Sequence, residues 1–324
     1  MLIDNYGRTI NYMRLAVTDR CNLRCTYCMP KDGLDWLSQK ELMTYEEMYK
    51  ISSLLVAMSV QKIRITGGEP FIRKGMMPFL SSLSKISGLQ QLTVTTNGVL
   101  TAPLVPELKK IGIRSVNLSL DTLDRNRFIA IAHRDELTQV LETLKVLLHH
   151  GIEVKINTVV MEKKNIADII PLVELTKTLP VSVRFIEEMP FNGGGNERPV
   201  LHWNYQRILE TIRECFPTIQ KIPDAPNSTS YNYHIPGHKG NVGVIAAYSR
   251  LFCGTCDRIR ITPIGTVQTC LYDQGAFNIK DAMRSGVNEE QLGMMLKNVV
   301  LKKAKDGWEA EKIPVHESMA TIGG

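Results

Sequence analysis

The sequence of 324 residues lacks any long apolar run: a stretch such as Leu54-Leu55-Val56-Ala57-Met58 falls far short of the ~20 residues a membrane-spanning helix needs. It also lacks a basic segment followed by an apolar one at its start, low-complexity blocks, and internal repeats beyond a strand–helix unit. These absences argue against a membrane partner and lead to the expectation of a cytoplasmic chain. An even complement of cysteines is missing too. With seven thiols and no export signal, a disulfide framework is a poor fit, because cytosolic thiols stay reduced, and metal binding or catalysis becomes their leading use. What is present is ordinary for a globular protein: 44% hydrophobic and 22% charged residues, which disfavours disorder and a coiled coil. The net charge of +6 suits an anionic ligand, yet no basic helix or aromatic stacking motif supports nucleic-acid binding.

Short segments rich in Val, Ile and Thr alternate with longer amphipathic ones. Strands are predicted at residues 14–17, 62–66, 91–95, 115–120, 153–160 and 183–186, and helices at 45–58, 75–86, 102–111, 137–149 and 166–178. Thr44 and Asn165 stand where helix caps belong, and Gly112 and Gly151 where helices stop. Right-handed crossovers would curl six such units into a partial (β/α)6 TIM-like barrel of the α/β class, with working groups at the C-terminal ends of its strands. A loop is predicted at Phe191-Asn192-Gly193-Gly194-Gly195-Asn196, a helix at 205–215 and a linker at 221–231. Beyond the linker, strands at 242–247, 259–262 and 266–269 and helices at 279–284 and 289–303 suggest a smaller α+β region with its own hairpin. The expected units are thus residues 1–220 and 221–324.

Six thiols fall into two trios. Cys21, Cys25 and Cys28 follow the first strand, while Cys253, Cys256 and Cys270 span the later hairpin. A structural zinc wants four protein ligands, whereas a four-iron cluster held by three thiolates keeps one iron open for a substrate or cofactor. A zinc site with a distant fourth ligand is the bland alternative for each trio. Cys215 is expected to be a small buried hydrophobe.

The strand ends supply polar groups. After the second strand, Gly67-Gly68-Glu69-Pro70 would expose carbonyls and a carboxylate to an ammonium group, or merely make a tight turn. Thr95-Thr96-Asn97-Gly98, and Ser119 with Asp121 and Thr122, could hold a ligand or cap turns. Arg14, Lys62, Arg64 and Lys155 can point inward if they share the pleat's phase, and Arg258 and Arg260 lie two apart on one strand face. Such cations suit a triphosphate; alternating charge on an edge strand is the alternative. Lys302, Lys303 and Lys305 read as a solvated helix face.

The pattern Cys21-x3-Cys25-x-Tyr27-Cys28, with Gly67-Gly68-Glu69-Pro70, resembles the radical S-adenosylmethionine superfamily. Adding Phe252-Cys253-x2-Cys256-Asp257-Arg258-x-Arg260 and the terminal Gly323-Gly324, the whole chain resembles the MoaA family, the GTP 3′,8-cyclases of molybdenum-cofactor biosynthesis. One departure is Glu187-Glu188-Met189, where an apolar residue is more usual than Glu. The resemblance implies that Cys21, Cys25 and Cys28 hold one [4Fe–4S] cluster whose open iron binds S-adenosylmethionine. Tyr27, Gly68, Ser119 and Met189 match cofactor-contacting positions. It further implies a second [4Fe–4S] cluster on Cys253, Cys256 and Cys270, facing the guanine of GTP. Arg14, Arg64, Thr95, Lys155, Arg258, Ile259 and Arg260 match GTP-contacting positions, with Lys62 as a further phosphate candidate. The diglycine end is similar to a family tail that reaches into the active site. In the implied reaction a 5′-deoxyadenosyl radical takes hydrogen from C3′ of GTP, and the C3′ radical attacks C8. The partners implied are a reductant, a downstream cyclic pyranopterin monophosphate synthase and a second copy of the chain. Two rivals remain: a radical enzyme acting on a peptide, and a zinc-containing nucleic-acid-binding module.

Overall fold

A computed structural model describes residues 1–29, 34–189, 201–310 and 318–322. The predicted loop from Phe191 to Asn196 and the Gly323-Gly324 end lie outside the described residues. The six predicted N-terminal strands form as β1 (Tyr12–Ala16), β2 (Lys62–Thr66), β3 (Gln91–Thr96), β4 (Ser115–Ser119), β5 (Glu153–Val160) and β6 (Val181–Glu187), paired in that order and parallel. Helices α1 (Tyr45–Ala57), α2 (Met76–Leu83), α3 (Val105–Ile111), α4 (Arg125–Ala132), α5 (Leu137–His149) and α6 (Ile169–Thr178) fill the crossovers.

Local signals explain most boundaries. Thr44 and Glu47 make a reciprocal capping box at α1, and Gly112 ends α3 with φ of 98°. Asn165 does not cap as expected. Its side chain instead bonds the amide of Met161 and the carbonyls of Asp121 and Val159, locking the turn after β5, and a 3-10 turn precedes α6. Helix α4 escapes the sequence pattern because Arg125, Asn126 and Arg127 dilute its apolar face; the Asp124 cap on the Arg127 amide starts it.

The remaining strands are β7 (Gln220–Lys221), β8 (Tyr231–His234), β9 (Asn241–Ile245), β10 (Arg258–Ile261), β11 (Thr266–Gln268) and β12 (Phe277–Asn278). They do not form a separate sheet. β9 pairs parallel with β6 and β10 parallel with β1, so a sheet of 12 strands runs β12-β11-β10-β1-β2-β3-β4-β5-β6-β9-β8-β7. The predicted hairpin is β10–β11, but β10 is an interior strand rather than an edge. This is an open, partial barrel whose parallel part gains a strand at each side. Helices α7 (Tyr205–Cys215), α8 (Ile279–Arg284), α9 (Glu289–Leu301), α10 (Gly307–Ala310) and α11 (Met319–Ile322) complete the described fold. Cys215, expected to be buried, is exposed at the end of α7. No described helix is long and apolar enough to cross a membrane.

The strand period of two sorts the side chains. Met13, Leu15, Ile63, Ile65, Val116, Leu118, Val154, Ile156, Val183, Val242, Val244, Ile259 and Ile261 are almost wholly buried in the core. Each contributes roughly 1.5–3 kcal/mol by leaving water. The alternate positions, Tyr12, Arg14, Arg64, Asn117, Asn157, Arg184, Arg258 and Arg260, take the other phase, and most of them line a cavity. One pattern therefore supplies both core and site.

Candidate active site

A cavity of about 280 Å³ is lined by all six sulfurs of the two trios: Cys21, Cys25, Cys28, Cys253, Cys256 and Cys270. Tyr27, Gly68, Ser119, Met189, Arg14, Arg64, Thr95, Arg258 and Arg260 also line it. Three sequence candidates do not. Lys62 sits at the start of β2, Lys155 pairs with Glu153 at 3.0 Å, and the Ile259 side chain is 1% exposed in the core.

The first trio is carried by a loop fixed backbone to backbone. The Cys28 amide donates to the Cys25 carbonyl at 2.9 Å, and the Arg24 and Thr26 amides donate to carbonyls at the end of α4. Gly67 and Gly68 press against this loop: a Cβ on Gly68 would lie 2.3 Å from the Arg20 carbonyl oxygen, and Gly67 has φ of 139°. Only glycine allows that approach, which is sealed by bonds from Gly68 to Thr18 and from Glu69 to Arg20. Glu69 does not face a ligand as its sequence context suggested. Its carboxylate is 0% exposed and accepts from the amides of Asn97 (2.7 Å) and Phe71 (3.1 Å) and the Thr96 hydroxyl (2.9 Å). Tyr27 donates to Asp121 at 3.0 Å, which fixes the ring beside the thiols.

The second trio sits at the open end of the β10–β11 hairpin. Cys253 and Cys256 flank a short 3-10 turn, and Cys270 follows β11, where the Asp273 carboxylate accepts from the Thr269 and Cys270 amides. Arg8 donates to the Cys253 carbonyl at 3.1 Å, and Lys303 reaches the same site from beyond α9. Lys303 is 4% exposed, which corrects the solvated-face reading for this residue; Lys302 and Lys305 are exposed as expected.

The donor set fits iron–sulfur centres. Burial pushes Cys21 up to about 11, Cys28 up to about 12 and Cys270 up to about 11, so these groups favour the thiolate only when a cationic centre binds them. Burial acts on Cys256 as well, but Lys303, Arg258 and Arg260 hold it down at about 7. Among the described residues, no three His, Cys, Asp or Glu side chains gather closely enough to hold a single metal ion. Three thiols in each trio line the cavity, a donor count that fits a four-iron cluster with one iron left open.

Strand register stacks the cations in two layers. Arg260, Arg14 and Arg64 are neighbours in one layer; Arg258, Tyr12 and Lys62 form the one below. The Tyr12 ring has Lys62, Arg64, Arg258 and Arg14 within 5.8 Å of its centroid. Burial would raise its phenol, but Arg64, Arg14, Arg258 and Lys62 bring it down to about 7, a measure of how positive this space is. Arg14, Arg184 and Arg258 each leave a buried Nε without a hydrogen-bond partner. Buried orphan donors are costly, and an anion in the cavity would satisfy them. Arg184 was missed by sequence reading. Its signal was the inward phase of β6, and Gly243 opposite it keeps the space open, since a Cβ there would lie 3.3 Å from Arg184 Cγ.

Three further residues border the site. Glu187, unusual in its position, is buried and accepts from the Tyr205 and Ser249 amides and the Ser249 hydroxyl. At the far end of the chain, the Ser318 hydroxyl donates to the Cys28 carbonyl, and Met319 lines the cavity.

Residues 15–176 match the Radical SAM superfamily and residues 181–308 match Molybdenum Cofactor Synthesis C. The chain is 36% identical over 300 residues to the GTP 3′,8-cyclase of Clostridium perfringens, covering 93% of this chain and 92% of that protein. It is 38% identical over 312 residues to molybdenum cofactor biosynthesis protein 1 of Drosophila melanogaster, covering 95% of this chain and 55% of that protein. The chain thus spans about half the length of the animal relatives it matches. In fold, it resembles the crystal structure of Streptococcus suis SuiB bound to S-adenosylmethionine, with a TM-score of 0.63 at 15% identity over 92% of this chain and 72% of that one. Superfamily membership implies a [4Fe–4S] cluster and S-adenosylmethionine. With near full-length coverage of a bacterial relative, and both halves of the chain matched, this chain belongs to the GTP 3′,8-cyclase family of the radical S-adenosylmethionine superfamily.

Proposed function

We propose that the chain converts GTP to 3′,8-cyclo-7,8-dihydro-GTP in molybdenum-cofactor biosynthesis. The observation that carries this reading is one cavity lined by both trios and by Arg14, Arg64, Arg184, Arg258 and Arg260. Cys21, Cys25 and Cys28 would hold the first [4Fe–4S] cluster, with Tyr27, Gly68, Ser119 and Met189 around S-adenosylmethionine. Cys253, Cys256 and Cys270 would hold the second, beside the guanine. When bound, these groups supply the radical chemistry and the grip on the base.

The protein's own part is electrostatic and positional. Arg14, Arg64, Arg184, Arg258 and Arg260 neutralise the triphosphate by charge-assisted hydrogen bonds, with Thr95 as a neutral contact. Lys62 and Lys155, outside the lining, act on phosphate charge from further away, and Ile259 contributes only through its backbone. Anchored at both ends, the nucleotide would present C3′ toward the first trio. No side chain serves as nucleophile. The assignment of residues 1–220 and 221–324 as functional units, a cytoplasmic setting, an external reductant, a downstream pyranopterin-forming enzyme and a homodimer belong to the same proposal.

Anaerobic reconstitution with reductant and S-adenosylmethionine tests it. Cofactor cleavage coupled to a cyclised nucleotide with GTP supports the reading. Coupling to a peptide instead, or a colourless zinc protein, contradicts it.

A further inference from the structure

Lys303 leaves the end of α9 and turns inward, against the expectation for a lysine-rich segment. Its ammonium donates to the carbonyl oxygen of Arg258 at 3.1 Å and to that of Thr269, and lies 3.7 Å from Cys256 Sγ. Arg258 stands two residues after Cys256, and Thr269 immediately precedes Cys270. One side chain therefore bridges the two arms of the second trio at the open end of the β10–β11 hairpin. Its described partners are two neutral carbonyls and a sulfur. A buried ammonium is costly unless an anion compensates it, so this placement calls for negative charge at the thiols. At the first trio the described donors to Cys21 Sγ are instead the Leu23 amide and the Asn97 side-chain amide, both neutral, while Arg24 bonds the Cys21 carbonyl rather than its sulfur.

We propose that Lys303 is a positioning residue for the second iron–sulfur centre, clamping the Cys256 and Cys270 arms and placing one fixed positive charge beside the Cys256 sulfur. The inference rests on the reading of the second trio given under Proposed function. A nearby fixed cation favours the more negative, reduced form of a cluster, and hydrogen bonds to its sulfurs act in the same direction. Lys303 thus raises the reduction potential of the second centre and leaves that of the first unchanged.

The test compares reconstituted wild type with Lys303→Arg, Lys303→Gln and Lys303→Met by iron content and by potentiometric titration followed with electron paramagnetic resonance. The first centre serves as the internal control for folding. In the Gln and Met variants the second centre shifts to a more negative potential, or is lost with about half the iron, while the first keeps its iron and potential. The Arg variant stays close to wild type. Unchanged iron and potential in the Gln and Met variants would overturn the assignment, as would parallel shifts of both centres or an Arg variant that behaves like Met. Cys270→Ala separates the two levels: if it leaves wild-type iron content and spectrum intact, there is no second centre, and the underlying reading falls together with this one.

Discussion

The first trio lies within one loop after β1, buttressed by backbone contacts from Gly67 and Gly68, whereas the second is gathered from a turn before β10 and a loop after β11 and is held by Arg8, Asp273 and Lys303. Their electrostatics differ as well. Burial and the Asp121 carboxylate raise Cys25, and Glu69 acts in the same sense on Cys21; Cys256 is instead brought down by Lys303, Arg258 and Arg260. Arg24 acts on Cys21 in the opposite sense, but three cations act on Cys256, and a centre with fewer cations resists taking up an electron and gives it up readily, which suits reductive cleavage of a cofactor. A centre among cations suits holding an anionic nucleotide. On the proposed reading the two sites would divide the labour by their surroundings, although each offers the same three thiolates.

The largest effects come from the thiolates. Cys21→Ala and Cys270→Ala both reduce formation of cyclised nucleotide below detection, but Cys270→Ala retains slow cleavage of S-adenosylmethionine without product, whereas Cys21→Ala retains none. Quantifying 5′-deoxyadenosine and nucleotide product side by side checks this. Equal loss of cleavage in both variants would erase the division of labour.

Next come the glycines. A Cβ at Gly68 meets unyielding backbone, while at Gly307 the nearest atom is Arg250 Cδ at 2.9 Å, part of a side chain that can shift. Gly68→Ala should cost about 3 kcal/mol and Gly307→Ala about 1 kcal/mol in chemical unfolding. Removal of one cavity cation is smaller than the first of these. Arg14→Ala or Arg184→Ala should weaken GTP binding by about 2 kcal/mol, roughly thirtyfold in Kd, with little effect on S-adenosylmethionine binding. Equilibrium titration with each ligand distinguishes the two.

Separate from these substitutions is a pH dependence confined to the support of the first trio. Burial raises the Glu69 carboxyl to about 7 from the ordinary 4.5, despite hydrogen bonds that oppose the shift. Between those values the folded chain keeps a proton that the unfolded chain has released, so this group's contribution lowers stability as pH rises from 4.5 to about 7 and levels off above. Glu69→Gln, which carries no charge, should flatten that slope in thermal melts across the window. An unchanged slope would assign the effect elsewhere.

The same contrast explains what the sequence made legible. Cys21, Cys25 and Cys28 announce themselves because their geometry is local, and the alternation of Arg258, Ile259 and Arg260 places two cations inward and one apolar residue in the core. The parallel strands were legible for the same reason: Val, Ile and Leu recur at the period of a pleat with helical stretches between. Long-range facts were not. Nothing in the string Lys302-Lys303-Ala304-Lys305 tells which lysine turns inward, since that is decided by the carbonyls of Arg258 and Thr269 on another segment. Nor does composition show that β9 and β10 join the flanks of the first six strands instead of making their own sheet. Glu69 misled because a carboxylate beside paired glycines looks available, while three protein donors already occupy it.

The account depends on the nucleotide lying between the trios with its ribose toward the first. Reconstituted protein supplied with reductant, S-adenosylmethionine and GTP deuterated at C3′ tests this most directly, by mass spectrometry of the 5′-deoxyadenosine formed. Deuterium in that product is the predicted result. Unlabelled 5′-deoxyadenosine accompanying cyclised nucleotide would contradict it.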